Sequence, residues 1–296
     1  MLDGCVPMGI DAGVPGATQR PDCMEDTLTL TTLAGGLVLV GIFAGLMAGL
    51  LGIGGGIVMV PALHYAAETL GVAPQHQMHL AVGTSLSVIM VTSLTSVITH
   101  WRHGAVDTSV LRSYGPGVLV GVLAGTLIAA VVSGAVLTVV FAVAALAVAL
   151  NMARGEPAHI LGSVMPGPKA SGALGLLTGV VSTLAGIGGG AMTVAILTLY
   201  SMPIHLAVGT ASAVGVLVSL PGALGFVAIG WHAQELPPFT LGYVNIAAFA
   251  VLAPVTAVMA PVGARLAHRT PQKGLARIFA AFLGIAALRM IWNLLA

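Results

Sequence analysis

Long apolar runs alternate with short polar breaks along nearly the whole chain after residue 30. A helix needs about 20 predominantly apolar residues to cross a bilayer, and residues 32–51 supply the first such run. Further runs follow at 57–70, 81–99, 114–132, 135–150, 172–185, 191–200, 206–229, 241–261 and 279–295. The pattern predicts an all-α integral membrane protein of eight to ten transmembrane helices. Its expected organisation is a polar leader at 1–30, a first repeat at 31–151, a linker at 152–169 rich in proline and glycine, and a second repeat at 170–296.

The repeats show as one motif met twice. Gly52-Ile53-Gly54-Gly55-Gly56 returns as Gly186-Ile187-Gly188-Gly189-Gly190. Each copy is followed by the same six letters, His79-Leu80-Ala81-Val82-Gly83-Thr84 and His205-Leu206-Ala207-Val208-Gly209-Thr210. Gly125 with Gly263 and Phe141 with Phe279 extend the correspondence to the end of each half.

Composition fixes the solvent. Charged residues make up 6% of the chain and hydrophobic ones 57%, whereas a soluble domain carries about 25% charge. A formal charge of +1 with no clustered basic face argues against nucleic acid as a partner. The two cysteines, Cys5 and Cys23, both lie in the leader, where they either pair in an oxidising compartment or stay free thiols.

The basic residues decide the topology. Arg102, Arg112, Arg154, Lys169, Arg265, Arg269, Lys273 and Arg277 occupy three loops, and only Arg20 and Arg289 lie elsewhere. If each glycine motif is part of an unbroken span, these loops fall on both sides of the membrane; if each is a turn, they fall on one side, as cytoplasmic loops do. The turn reading gives each half an odd number of crossings and so inverted repeats with the helices broken at the glycine motifs.

Three glycines in a row within lipid mark a break whose backbone N–H groups must find other partners. A helix end with free N–H groups attracts an anion, so Gly54, Gly55, Gly56, Gly188, Gly189 and Gly190 are candidate binding residues. The alternative for glycine in a membrane helix is close packing, which accounts for Gly41, Gly45 and Gly49 and for Gly117, Gly121 and Gly125 at four-residue spacing. No Lys-Ser/Thr follows either motif, so neither is a nucleotide loop.

Ser85, Thr92, Ser96 and Thr99 recur on one helical face, and with Thr84, Thr210 and Ser212 they predict a polar translocation path. No Asp, Glu or Lys falls deep within a predicted span. That leaves His79 and His205 as candidate proton carriers, or as residues flanking a helix start. The pairs His76/His79 and His100/His103 lack a carboxylate or cysteine to complete a metal site, and neither metal nor cofactor is expected.

Gly52 to Gly56 with Pro61, Ala81 to Ser85, Gly186 to Gly190, Ala207 to Thr210 and the closing Pro261-Val262-Gly263-Ala264-Arg265-Leu266 resemble the TauE/SafE family of sulfite and organosulfonate exporters. The second copy departs in having Ala195 where the first has Pro61. The resemblance implies a multi-pass permease of the bacterial inner membrane, not an enzyme, with a small sulfur-containing anion as substrate. Arg102 or Arg112 would attract that anion at the cytoplasmic mouth. The partners expected are the anion and the lipid bilayer, with a homodimer open as an alternative to a monomer. Rival readings are a carrier or channel for another solute and a scaffold subunit that transports nothing.

Overall fold

The computed structural model describes residues 22–51, 54–154, 162, 165–267 and 272–295. Helices α1 (Asp22–Leu51), α2 (Gly56–Thr69), α3 (Pro74–Arg102), α4 (Thr108–Val131) and α5 (Gly134–Arg154) form the first half. Helices α6 (Pro168–Ala185), α7 (Gly190–Leu199), α8 (Ile204–Ile229), α9 (Ile246–Ala267) and α10 (Gln272–Leu295) form the second, with a hairpin of β1 (Thr240–Leu241) and β2 (Val244–Asn245) before α9. Six helices among the described residues are long and apolar enough to cross a membrane: those over Thr31–Leu50, Pro74–Arg102, Thr108–Val131, Gly134–Ala153, Ile204–Ile229 and Ile246–Gly263. The protein is an all-α, multi-pass integral membrane protein. At about 1.5 Å per residue, α2 and α7 fall short of a 30 Å hydrocarbon core.

Two boundaries differ from expectation. Helix α1 starts at Asp22, inside the expected leader, so Cys23 is helical; Cys5 lies outside the described residues. Helix α3 starts at Pro74, which suits the first turn because proline has no N–H to leave unpaired. His76 and His79 are therefore helical, not part of a loop.

Side-chain contacts give the helix directions. On α4 and α6, Gly117 meets Gly172, Gly121 meets Gly179 and Gly125 meets Thr183, so the register rises together and the helices run parallel. Gly41 against Leu252 and Gly45 against Met259 make α1 and α9 parallel in the same way. These small-residue seams let backbones approach closely, which drives association where lipid offers no hydrophobic gain. At the centre α3 and α8 run antiparallel, with Leu86 against Gly222, Ser93 against Gly215 and Ser96 against Ser212. Helices α5 and α10 pack on each other outside this core.

Candidate functional site

Each glycine motif is a turn. Gly54 and Gly55 adopt φ of 80° and 70°, and Gly188 and Gly189 adopt 69° and 75°. These left-handed values are costly for residues with a Cβ. Gly52 and Ile53 lie outside the described residues. The chain folds back on itself at both turns. Ser182 Oγ, near the end of α6, lies 3.8 Å from Met192 Sδ at the start of α7, and Gly55 packs on the backbone of Ala44 in α1.

The turns sit at mid-depth and touch. Gly54, Gly56 and Gly188 pack against Ile89, near the middle of α3, while Gly189 packs against Val214 and Val218, near the middle of α8. Gly56 lies against the backbone of Gly186 and Ile187, and Ser85 donates to the Gly186 carbonyl at 2.9 Å. From these turns α2 leads to the start of α3 and α7 to the start of α8. Because α3 and α8 are antiparallel, α2 and α7 leave the centre toward opposite ends.

Thr84 and Thr210 have another task. The Asn245 N–H donates to Thr84 Oγ1 at 2.9 Å, and the Asp107 N–H donates to Thr210 Oγ1 at 2.9 Å. The preceding Gly83 and Gly209 admit the carbonyls of Tyr243 and Ala105, which any Cβ would strike. Asn245 and Asp107 then cap α9 and α4 through their own side chains. The repeated Gly-Thr pair is thus a clasp for the loop that starts a later helix, and neither threonine lines the cavity described below. Thr84→Val would leave the part-buried Asn245 N–H without its acceptor, at a cost of about 1 kcal/mol. The melting temperature in detergent is expected to fall for Thr84→Val and to hold for Thr84→Ser.

A cavity of about 630 Å³ runs from the two turns toward the C-terminal end of α3. Gly54, Gly188 and Gly190 line its deep end, whereas Gly55, Gly56 and Gly189 are packed away from it. The wall on α3 carries Thr92, Ser93, Ser96 and Thr99, and α8 contributes Ser212, hydrogen-bonded to Ser96 at 2.9 Å. Ser93 is 5% exposed, and its hydroxyl has no hydrogen-bond partner among the described residues. The N–H groups of Gly188, Gly190 and Ala191 have no acceptor there either. The described lining contains no carboxylate. Its deep end therefore offers hydrogen-bond donors and no fixed charge.

His100, His103, His205 and Arg265 stand toward the cavity mouth. Arg102 is exposed on the last turn of α3 and does not line it. Lys169 and Arg112, at the starts of the parallel α6 and α4, lie toward the same end of the molecule as Arg265. His79 is at the other end, 6% exposed, with Nδ1 3.1 Å from the Gln75 carbonyl and Nε2 3.0 Å from the Ala129 carbonyl, so it ties α3 to α4. His205 is exposed. The two histidines of the repeated motif thus occupy different environments.

At the end opposite the mouth the β-hairpin packs on the start of α3 and the end of α8. Tyr243 stacks near His79 and His76, with ring centroids 5.0 Å and 5.6 Å away, and its hydroxyl is hydrogen-bonded to His76 Nδ1 at 3.0 Å. Burial holds that hydroxyl above the usual phenol range, so it stays neutral. The hairpin and Tyr243 were hidden in a short sequence stretch with no strand-length alternation. Ser93 falls outside the stripe read from the sequence, although a helical wheel places it beside Thr92 and Ser96, and Arg265, read there as a basic loop residue, lines the cavity.

Broken helices meeting at mid-depth below a one-sided cavity, in a bundle of apolar helices, define a membrane transporter. The family model for the sulfite exporter TauE/SafE matches residues 37–290, and the chain belongs to that family. A probable membrane transporter protein of Haemophilus influenzae is 30% identical over 253 residues, covering 86% of this chain and 96% of its own. A probable membrane transporter protein of Methanocaldococcus jannaschii is 26% identical over 264 residues, covering 86% and 94%. No solved structure matches the chain.

Proposed function

We propose that this transporter exports small sulfur-containing oxyanions, sulfite or organosulfonates, by alternating access between two inverted repeats at 31–151 and 170–296. The observation that carries the reading is the deep end of the cavity, whose lining brings together Ser93, without a hydrogen-bond partner among the described residues, and Gly188 and Gly190 of the second glycine turn, with no carboxylate. Amide and hydroxyl donors suit an oxyanion, and the lack of a buried cation lets it leave again.

The inverted arrangement is supported by three pairings. Repeat-related α3 and α8 are antiparallel; α1 on α9 mirrors α6 on α4; and the Thr84 clasp mirrors the Thr210 clasp. Reading the basic end as cytoplasmic makes this the inward-open state of a protein of the bacterial inner membrane. The polar wall is one-sided, because the α8 counterparts of Ser96 and Thr99 are Gly222 and Gly225.

Proteoliposomes loaded with unlabelled sulfite are expected to accumulate radiolabelled sulfite by counterflow. Sulfoacetate or thiosulfate should compete, and neutral or cationic solutes should not. Flux no greater than in protein-free vesicles, or equal competition by a neutral solute, would sink the proposal.

A further inference from the structure

We infer that His100, His103, His205 and Arg265 form a second anion station at the cavity mouth, one that prefers doubly charged oxyanions and binds them more tightly when its histidines carry protons. The inference rests on reading the cavity as an anion path. It assigns a role to four side chains that the amide site at the deep end does not use.

Three helices bring these groups to one opening: α3 supplies His100 and His103, α8 supplies His205 and α9 supplies Arg265. His103 donates from Nδ1 to the Thr99 carbonyl at 2.8 Å, which leaves Nε2 to take a proton or face a ligand. His205 is the second residue of α8, so the positive end of that helix adds to its charge. Nothing in the described lining opposes this. The turn beside the mouth carries Asp107, but its carboxylate is held by the N–H groups of Ser109 and Val110. Arg102 is exposed outside the lining, while Ala48 and Gly49 on α1 and Gly190 on α7 bring no charge.

The contrast with the deep end is chemical. There, neutral donors recognise an oxyanion of any charge. At the mouth, one permanent cation and three imidazoles, side chains that can each take up a proton, select for charge. An anion held first by charge and then by amides meets two sites of graded strength, which favours passage over trapping.

Isothermal titration of the purified full chain with sulfate tests this, because sulfate keeps its double charge between about pH 6 and about pH 8, on either side of the imidazole range. The wild type is expected to bind about tenfold more tightly at the lower pH, as one extra favourable charge contact would give. The combined His100→Gln, His103→Gln and His205→Gln variant should lose that difference and keep the weaker affinity. Arg265→Gln should weaken binding at both pH values, and Ser93→Ala, at the deep end, should leave the station's affinity and its pH difference in place. Each single His→Gln variant should lose part of the difference, which covers a triple variant that does not fold. A pH difference that survives in the triple variant, or stays undiminished in all three singles, would overturn the station; so would its absence from the wild type. If sulfate binds in the expected pattern but sulfite counterflow fails, the transport reading falls and the station stands.

Discussion

Gly56→Ala is expected to abolish the folded protein, while its neighbour Gly54→Ala yields a folded one. A methyl at Gly56 would lie 2.5 Å from Ile89 Cδ1, 2.6 Å from the Gly186 carbonyl oxygen and 3.1 Å from Ile187 Cα. Ile89 could rotate away, but the backbone of the second turn cannot, because Ser85 holds the Gly186 carbonyl. Overpacking against backbone costs about 1–3 kcal/mol or more, and here it would separate the two turns on which both halves rest. At Gly54 the methyl would meet nothing closer than Ile89 Cγ2 at 3.8 Å. The penalty there is the left-handed φ alone, about 1–2 kcal/mol. Size-exclusion profiles in detergent after membrane extraction would show a monodisperse peak for Gly54→Ala and loss of the peak for Gly56→Ala. Equal recovery of the two would remove the contact between the turns from the account.

Ser96→Leu is expected to stop transport in a protein that still folds. Ser96 is half-buried, faces the cavity and is joined to Ser212 across the α3/α8 seam. Leucine there removes that hydroxyl pair and fills part of the path with an apolar group. Ser212 keeps its bond to the Val208 carbonyl at 3.0 Å, so the fold loses little, while the apolar group in the path is expected to bring sulfite counterflow down to that of protein-free vesicles. Ser96→Thr keeps the hydroxyl and should keep most of the flux. Full activity in a folded Ser96→Leu protein would place the path elsewhere.

Much of the fold was legible because the bilayer allows so few solutions. An apolar run of sufficient length must be a helix, and each segment read from hydropathy overlaps a helix, although α1 starts at Asp22 and not at 32, α3 at Pro74 and not at 81, and the first residues of the 241–261 run form the β-hairpin before α9. The turn at each glycine motif followed from charge placement alone. What could not be read was which glycine does what. Gly54 and Gly188 line the cavity, while Gly55, Gly56 and Gly189 face helices, a distinction set by the path of the turn.

The repeated His-Leu-Ala-Val-Gly-Thr was the strongest signal after the glycines, and its explanation is structural. Thr84 and Thr210 hold loops more than a hundred residues away in sequence, at Asn245 and Asp107. A polar side chain in a membrane helix invites a functional reading when its partner is invisible in the sequence. The stripe over Thr92, Ser96 and Thr99 does face the cavity, whereas Ser85, on the same predicted face, lies deeper and holds the second turn.

The central claim is that an oxyanion sits at the deep end of the cavity, between the glycine turns and Ser93. Anomalous diffraction from crystals grown with selenite, the selenium analogue of sulfite, locates such an anion directly. The account predicts a selenium peak within hydrogen-bonding distance of Ser93 Oγ and of a backbone N–H at Gly188 or Gly190. A peak confined to the mouth, or none at saturating selenite, would contradict it.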